Sequence, residues 1–249
     1  MLFDNLADKY LIFKPSSTQV GTPKDLGIEF DDLYFKSTDN VTLHGWFIDK
    51  GSEHTIVWLH GNGGNISHRI PGLKNLYDNT KYNIFIFDYR GYGKSDGSVS
   101  ESGSYQDSFS ATEFLNKTYS IEPNQLILFG KSLGCAIACE IAAKINPLAL
   151  LLESPFTSAR NMAKFRFPFM PGIEYLISDK FNTCAKINQL NCPVMFIHGD
   201  SDRTIPIKMA ITLYKSYQYS KFFLEANFNT KFVENNLDFL LQKKEKIKS

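Results

Sequence analysis

The stretch Gln125-Leu-Ile-Leu-Phe-Gly130-Lys131-Ser132-Leu133-Gly134-Cys135-Ala-Ile-Ala-Cys-Glu-Ile-Ala-Ala143 decides the reading of this chain. Gln125–Phe129 is an apolar run of strand length, and Cys135–Ala143 is rich in helix formers. Between them lies Gly-x-Ser-x-Gly. Strand, Gly-x-Ser-x-Gly, helix is the local context of a nucleophile elbow, in which a serine stands on a sharp turn. Glycines two before and two after let neighbouring backbones pass where a Cβ would collide. The helix that follows points its N-terminus at the place where negative charge develops. Ser132 is therefore the candidate nucleophile, and the N–H of Leu133 is one arm of a candidate oxyanion hole.

Upstream of the elbow, Ile28–Ser37 and Val41–Ile48 read as a hairpin around Asp39-Asn40. Thr55-Ile-Val-Trp-Leu59 is a continuous apolar run, as expected of a buried parallel strand. It ends in His60-Gly61-Asn62-Gly63-Gly64-Asn65, a glycine-rich turn with Asn65 or Ser67 placed to cap a helix reaching about Tyr77. The expectation is that an N–H near Asn62 joins that of Leu133 in the oxyanion hole, with His60 and Gly61 in the substrate pocket. Tyr82–Phe87 is a further strand. Asp88-Tyr-Arg-Gly-Tyr-Gly-Lys-Ser-Asp-Gly97 lacks the spacing of a phosphate loop, so it reads as a structured loop held by Asp88 or Arg90.

Downstream, Ser104–Thr118 reads as a helix and Leu148–Glu153 as a buried strand. Residues 156–190 interrupt the alternation. Phe165, Phe167, Phe169 and Met170 cluster there around Pro168 and Pro171, as an exposed apolar patch or as a lid whose Phe156, Phe165 and Phe169 line an acyl pocket. Pro193–His198 is a strand, Pro206–Tyr217 a helix, Lys221–Leu224 a last strand and Phe232 to about Lys244 a closing helix. Alternating strands and helices imply one α/β domain over residues 1–249, a mostly parallel sheet of about eight strands with helices on both faces. Ligands then bind at the carboxyl ends of the strands. A triad in this topology runs serine, acid, histidine along the chain, and Asp202 after His198-Gly199 is the candidate acid, with Asp200 holding the turn.

Composition narrows the classes. The 249 residues are 43% hydrophobic with a net charge of +1, which gives no reason to expect nucleic acid. No apolar run approaches the ~20 residues of a membrane span. Phe3, Leu6, Tyr10 and Phe13 stand at roughly helical spacing and are read as packing on the domain rather than lying in a membrane surface. The first residues lack a secretory signal pattern, and the four cysteines have neither zinc spacing nor a disulfide framework. A cytoplasmic protein without metal or cofactor is expected. Nothing in the chain specifies an oligomeric state, and peripheral membrane contact stays open as an expectation that no feature of the sequence calls for.

These motifs together resemble the Bem46-like serine hydrolases of the α/β-hydrolase superfamily. The resemblance covers nearly the whole chain, through His60-Gly-Asn62, Asp88-Tyr-Arg-Gly-Tyr-Gly93, Gly130–Gly134, Glu153-Ser-Pro-Phe-Thr157 and His198-Gly199 with Asp202 and Ile205-Pro206. It implies Ser132 as nucleophile, Asp202 as acid, and a small or protein-bound acyl ester or thioester as substrate. In the family a histidine follows the last strand as the base. The matching stretch here is Glu225-Ala-Asn-Phe-Asn-Thr230, with Phe228 at that position, and all five histidines precede Asp202. Two expectations follow: a serine esterase or thioesterase weakened by loss of its base, or a catalytically inactive homologue that binds an acyl ligand or a protein partner.

Overall fold

The structure is a computed structural model and describes residues 12–173 and 180–226. The expectations on Phe3, Leu6 and Tyr10, on Phe228, on the closing helix and on positions 174–179 of the insertion lie outside these residues. Eight strands form one sheet: β1 (Asp31–Lys36), β2 (Thr42–Ile48), β3 (Thr55–Leu59), β4 (Asn83–Asp88), β5 (Leu126–Lys131), β6 (Ala149–Glu153), β7 (Val194–Gly199) and β8 (Lys221–Ala226). Their spatial order is β8-β7-β6-β5-β3-β4-β2-β1. The β1–β2 and β2–β4 pairs are antiparallel and the other pairs parallel. The order reverses around β3 and β5, which places a crevice at their carboxyl ends.

The strand pattern explains the layers. In β3, Val57 and Leu59 join one apolar cluster while Ile56 and Trp58 join the other. The same alternation separates Leu128 from Ile127 and Phe129 in β5. Both faces are thus buried, as period-two side chains require in a sheet covered on both sides. One face carries α2 (Glu101–Tyr119), α3 (Leu133–Ile145) and α6 (Ile207–Ser216), through Leu115, Ile137 and Leu213. The other carries α1 (Ile70–Asn79) through Leu73 and Leu76. The insertion holds α4 (Ala159–Arg166) and α5 (Thr183–Ile187).

Caps set the helix starts. Ser100 Oγ accepts from Gly103 N at 3.0 Å, so α2 begins three residues before the expected Ser104. Asn65 Oδ1 accepts from the N–H of Ser67 at 2.9 Å and opens a short 3-10 turn ahead of α1. Asn40 takes a left-handed φ of 68° in the β1–β2 turn, a conformation asparagine tolerates. The four cysteines are free, three of them buried.

Candidate active site

The elbow has the geometry its sequence implies. Ser132 stands between β5 and α3 with φ 52° and ψ −115°, a strained conformation for a residue with a Cβ. Its N–H donates to Glu153 O at 2.8 Å, anchoring the turn to β6. The glycines are sterically compelled. A Cβ on Gly134 would lie 1.9 Å from Leu59 O, and one on Gly130 would lie 2.6 Å from Gly134 O. The strand, the elbow and the first turn of α3 therefore nest backbone to backbone. Leu133 is the first residue of α3, so its N–H has no partner within the helix.

The glycine-rich turn after β3 comes against the elbow. A Cβ built on Gly61 would stand 3.5 Å from Ser132 Cβ. The turn is held from outside by residues 12–20, which run alongside it. Lys14 N donates to Asn62 O at 3.0 Å, Ser16 N to Gly64 O at 3.1 Å, and Asn62 Nδ2 to Ile12 O at 2.9 Å. Tyr92 Oη also donates to Asn62 O, at 2.8 Å. The backbone of Asn62 is thus fixed on one side while its other side faces the cleft.

That cleft has a volume of about 510 Å³. Ser132, Leu133 and Asn62 line it together, with Ile12 and Lys14 from the N-terminal segment, Phe156 after β6, and Thr204 and Ile205 beyond Asp202. Its remaining wall is the insertion, through Ala159, Met162, Ala163, Arg166 and Phe167. The first four follow i, i+3, i+4, i+7 spacing, one stripe of α4.

Four pocket expectations are corrected. Phe165 and Phe169 do not line the cleft, being 45% and 77% exposed on the outer side of the insertion. The inward stripe of α4 leaves Phe165 outside, and the turn at Pro168 carries Phe169 away. His60 does not line it either, being fully buried. Gly61 touches the elbow rather than the cleft. His60 Nδ1 lies 2.7 Å from Gly61 O, and a carbonyl only accepts, so Nδ1 carries the proton. The ring packs on Tyr89 and Tyr92, with Nε2 3.7 Å from Asp88 Oδ1. Burial pulls its pKa down to about 4, against the opposing charge of Asp88, so the imidazole is neutral at pH 7.

The loop after β4 is structural. Asp88 Oδ1 accepts from Ile66 N at 2.9 Å, joining this loop to the turn after β3. Arg90 binds Asp107 of α2 at 2.7 Å and Asp39 of the β1–β2 turn at 2.8 Å. Both residues expected to hold the loop do so.

Asp202 follows β7 and is partly buried. Oδ1 accepts from Thr204 N at 2.8 Å and Ile205 N at 3.0 Å, and Oδ2 accepts from Ser154 Oγ at 2.9 Å. Partial burial works to raise its pKa. The N–H groups of Ile205 and Thr204, the Ser154 hydroxyl and His198 outweigh it and hold the carboxyl below the usual carboxylate range. Ser154, with a left-handed φ of 52°, had no role assigned from sequence although it lies in the Glu153-Ser-Pro segment. His198 Nε2 stands 3.7 Å from Asp202 Oδ2 but lies 2.9 Å from Ile205 O. That carbonyl fixes the proton on Nε2, and the ring is fully buried. Among the described residues, no group of three or more His, Cys, Asp or Glu could hold a metal ion.

Residues 51–182 match the family described as serine aminopeptidase S33. The chain belongs to the α/β-hydrolase family. It is 32% identical over 207 residues to protein bem46 of Schizosaccharomyces pombe, covering 80% of this chain and 69% of that protein. It is also 32% identical over 203 residues to the α/β-hydrolase domain-containing protein WAV2 of Arabidopsis thaliana, covering 74% and 66%. The chain thus spans about two thirds of the length of these relatives. An esterase from Pyrococcus furiosus has the same fold at 22% identity, with a TM-score of 0.75 over 94% of this chain and 98% of that one. An α/β hydrolase from Vibrio vulnificus superposes with a TM-score of 0.71 at 18% identity, over 98% and 89%.

Proposed function

We propose that this chain is a serine hydrolase acting on carboxylic esters or acyl thioesters, with Ser132 as nucleophile and Asp202 as acid. The carrying observation is the strained Ser132 at φ 52°, opening into a cleft it shares with Asn62 and Leu133. Ser132 Oγ attacks the acyl carbonyl and gives its proton to a cleft water, the N–H groups of Leu133 and Asn62 take the developing oxyanion, and the carbonyl re-forms as the C–O or C–S bond breaks and the alkoxide or thiolate leaves to take a proton from water, with the acyl group left on serine. Water then releases the acid.

The resemblance assigns the base to the position of Phe228. Losing one triad member costs about 10⁴–10⁶ in rate, while the oxyanion hole and binding retain about 10³–10⁴ over water. A thiolate of pKa about 8.5 leaves without needing a proton from the enzyme. Thioesters are therefore the substrates on which the remaining machinery serves best. The second reading, an inactive homologue that holds an acyl ligand or a protein partner, draws on Phe228 and on the engaged oxygens of Asp202.

Turnover of a short acyl thioester and its oxygen ester separates the two. The hydrolase reading expects slow turnover of the thioester that exceeds the ester and vanishes in Ser132→Ala. Turnover equal in wild type and Ser132→Ala sinks it.

A further inference from the structure

The cleft at Ser132 carries charge of one sign. Most of its lining is apolar, with Phe156, Met162 and Phe167 the largest of these side chains. Two charged residues stand among them, Lys14 and Arg166, and both are cations. Among the described residues no Asp or Glu lines the cleft. Lys14 belongs to the N-terminal segment and sits against the glycine-rich turn, its N–H donating to Asn62 O at 3.0 Å. Arg166 is the last residue of α4 and the end of its inward stripe. The two cations thus meet one cleft from two separate elements.

Neither cation is spent inside the fold. Lys131 pairs with Glu153 at 2.5 Å and Lys186 with Glu140 at 2.8 Å. Lys14 and Arg166 form no ion pair among the described residues, and both are exposed. The carboxylates next to the lining residues are engaged elsewhere. Glu153 is held by Lys131, and Asp202 by the N–H groups of Thr204 and Ile205 and the Ser154 hydroxyl. An apolar cleft furnished with two free cations complements a ligand that is apolar along its length and anionic at one end. A neutral ester offers those cations nothing.

We propose that the cleft takes an amphiphilic anion, a carboxylate or phosphate joined to an apolar segment, and that Lys14 and Arg166 hold its charge. Carried over to the substrate, this inference rests on the reading of Ser132 as nucleophile. The ester or thioester then bears the anion on its acyl side or on its leaving-group side, apart from the scissile carbonyl. The N–H groups of Leu133 and Asn62 stay free for the oxyanion. Lys14 and Arg166 select the substrate and take no part in bond making.

Isothermal titration calorimetry of the full chain with octyl phosphate and with octanol tests this, because the two share one alkyl chain and neither is an acyl substrate. At about 0.05 M salt octyl phosphate is expected to bind at least about fivefold more tightly, two partly exposed ion pairs being worth up to about fivefold each. The difference shrinks at about 0.5 M salt. In the Lys14→Gln, Arg166→Gln double variant the discrimination falls below about twofold. Both side chains are exposed, so an unchanged melting temperature verifies that the variant folds. Equal binding of the two ligands, or binding of neither, overturns the proposal. A preference that the double variant keeps also overturns it and assigns the anion to the N–H groups at the elbow. A turnover arm locates the charge. Acetyl-coenzyme A against S-acetyl-N-acetylcysteamine places it on the thiol, and adipoyl against hexanoyl N-acetylcysteamine thioester places it on the acyl chain. Faster turnover of the charged member of either pair, lost in the double variant, supports the proposal and names the side. Ser132-dependent turnover without preference in either pair overturns it and leaves the hydrolase reading standing. Preferential binding of octyl phosphate with no turnover of any thioester supports the proposal and sinks the hydrolase reading instead.

Discussion

Replacing Ser132 by glycine should stabilise the fold while abolishing any covalent chemistry. The backbone at this position is held at φ 52° and ψ −115°, outside the regions open to a residue with a Cβ. Such strain costs about 1–3 kcal/mol. Glycine relieves it and returns about 0.5–1 kcal/mol as the greater freedom of the unfolded chain. The net gain is about 0.5–2 kcal/mol, or about 1–8 °C in melting temperature for a chain of this size. Among the described residues Ser132 Oγ makes no hydrogen bond, so deleting the hydroxyl forfeits little. Ser132→Ala is the control, because it removes the hydroxyl and keeps the Cβ that creates the strain. Thermal unfolding of the two variants side by side, followed by circular dichroism, isolates the backbone term. A glycine variant no more stable than the alanine variant would refute the claim that the elbow stores strain.

Gly134→Ala tests the nesting of strand and elbow. Its Cβ would lie 1.9 Å from Leu59 O, a backbone atom of the central strand, so the melting temperature should fall by at least about 6 °C, the equivalent of about 3 kcal/mol. His60 sets a pH dependence. Its pKa is about 4 when folded against an ordinary 6.5, so the unfolded chain takes up a proton that the folded chain refuses as pH falls. Stability should therefore be full above about pH 6.5 and decline by up to about 3 kcal/mol towards about pH 4, a slope that melting curves of His60→Asn should lack. Phe228→His should raise ester hydrolysis at least about tenfold by restoring a general base, and a folded variant with no gain in initial rate contradicts the placement of the base there.

The elbow and the sheet were legible because their constraints are local. Gly130 and Gly134 are dictated by backbone contacts under 3 Å, and the runs Thr55–Leu59 and Ala149–Glu153 are buried on both faces, which leaves a continuous apolar signature. The boundaries slipped where capping rather than hydrophobicity decides them, as at Ser100, and where β5 runs on through Gly130 and Lys131 to pair Lys131 with Glu153. The cleft was less legible. Residues 12–20 contribute Ile12 and Lys14 through backbone bonds to the turn after β3, and an extended segment held that way has no periodicity to detect. The insertion misled through its aromatics. Phe165 and Phe169 looked like pocket residues, yet the inward stripe is Ala159, Met162, Ala163 and Arg166, a helical spacing that was present in the sequence. Ser154 had no pattern of its own, because its bond to Asp202 joins two strand ends 48 positions apart.

The central claim is that Ser132 is a nucleophile placed against an oxyanion hole. Labelling by a fluorophosphonate probe followed by intact mass and peptide mapping tests it most directly, since the phosphonyl group stays on the attacked oxygen. The account predicts slow, stoichiometric labelling at Ser132, faster in Phe228→His and absent in Ser132→Ala. No adduct on the folded wild-type chain, or an adduct that persists in Ser132→Ala, would contradict it.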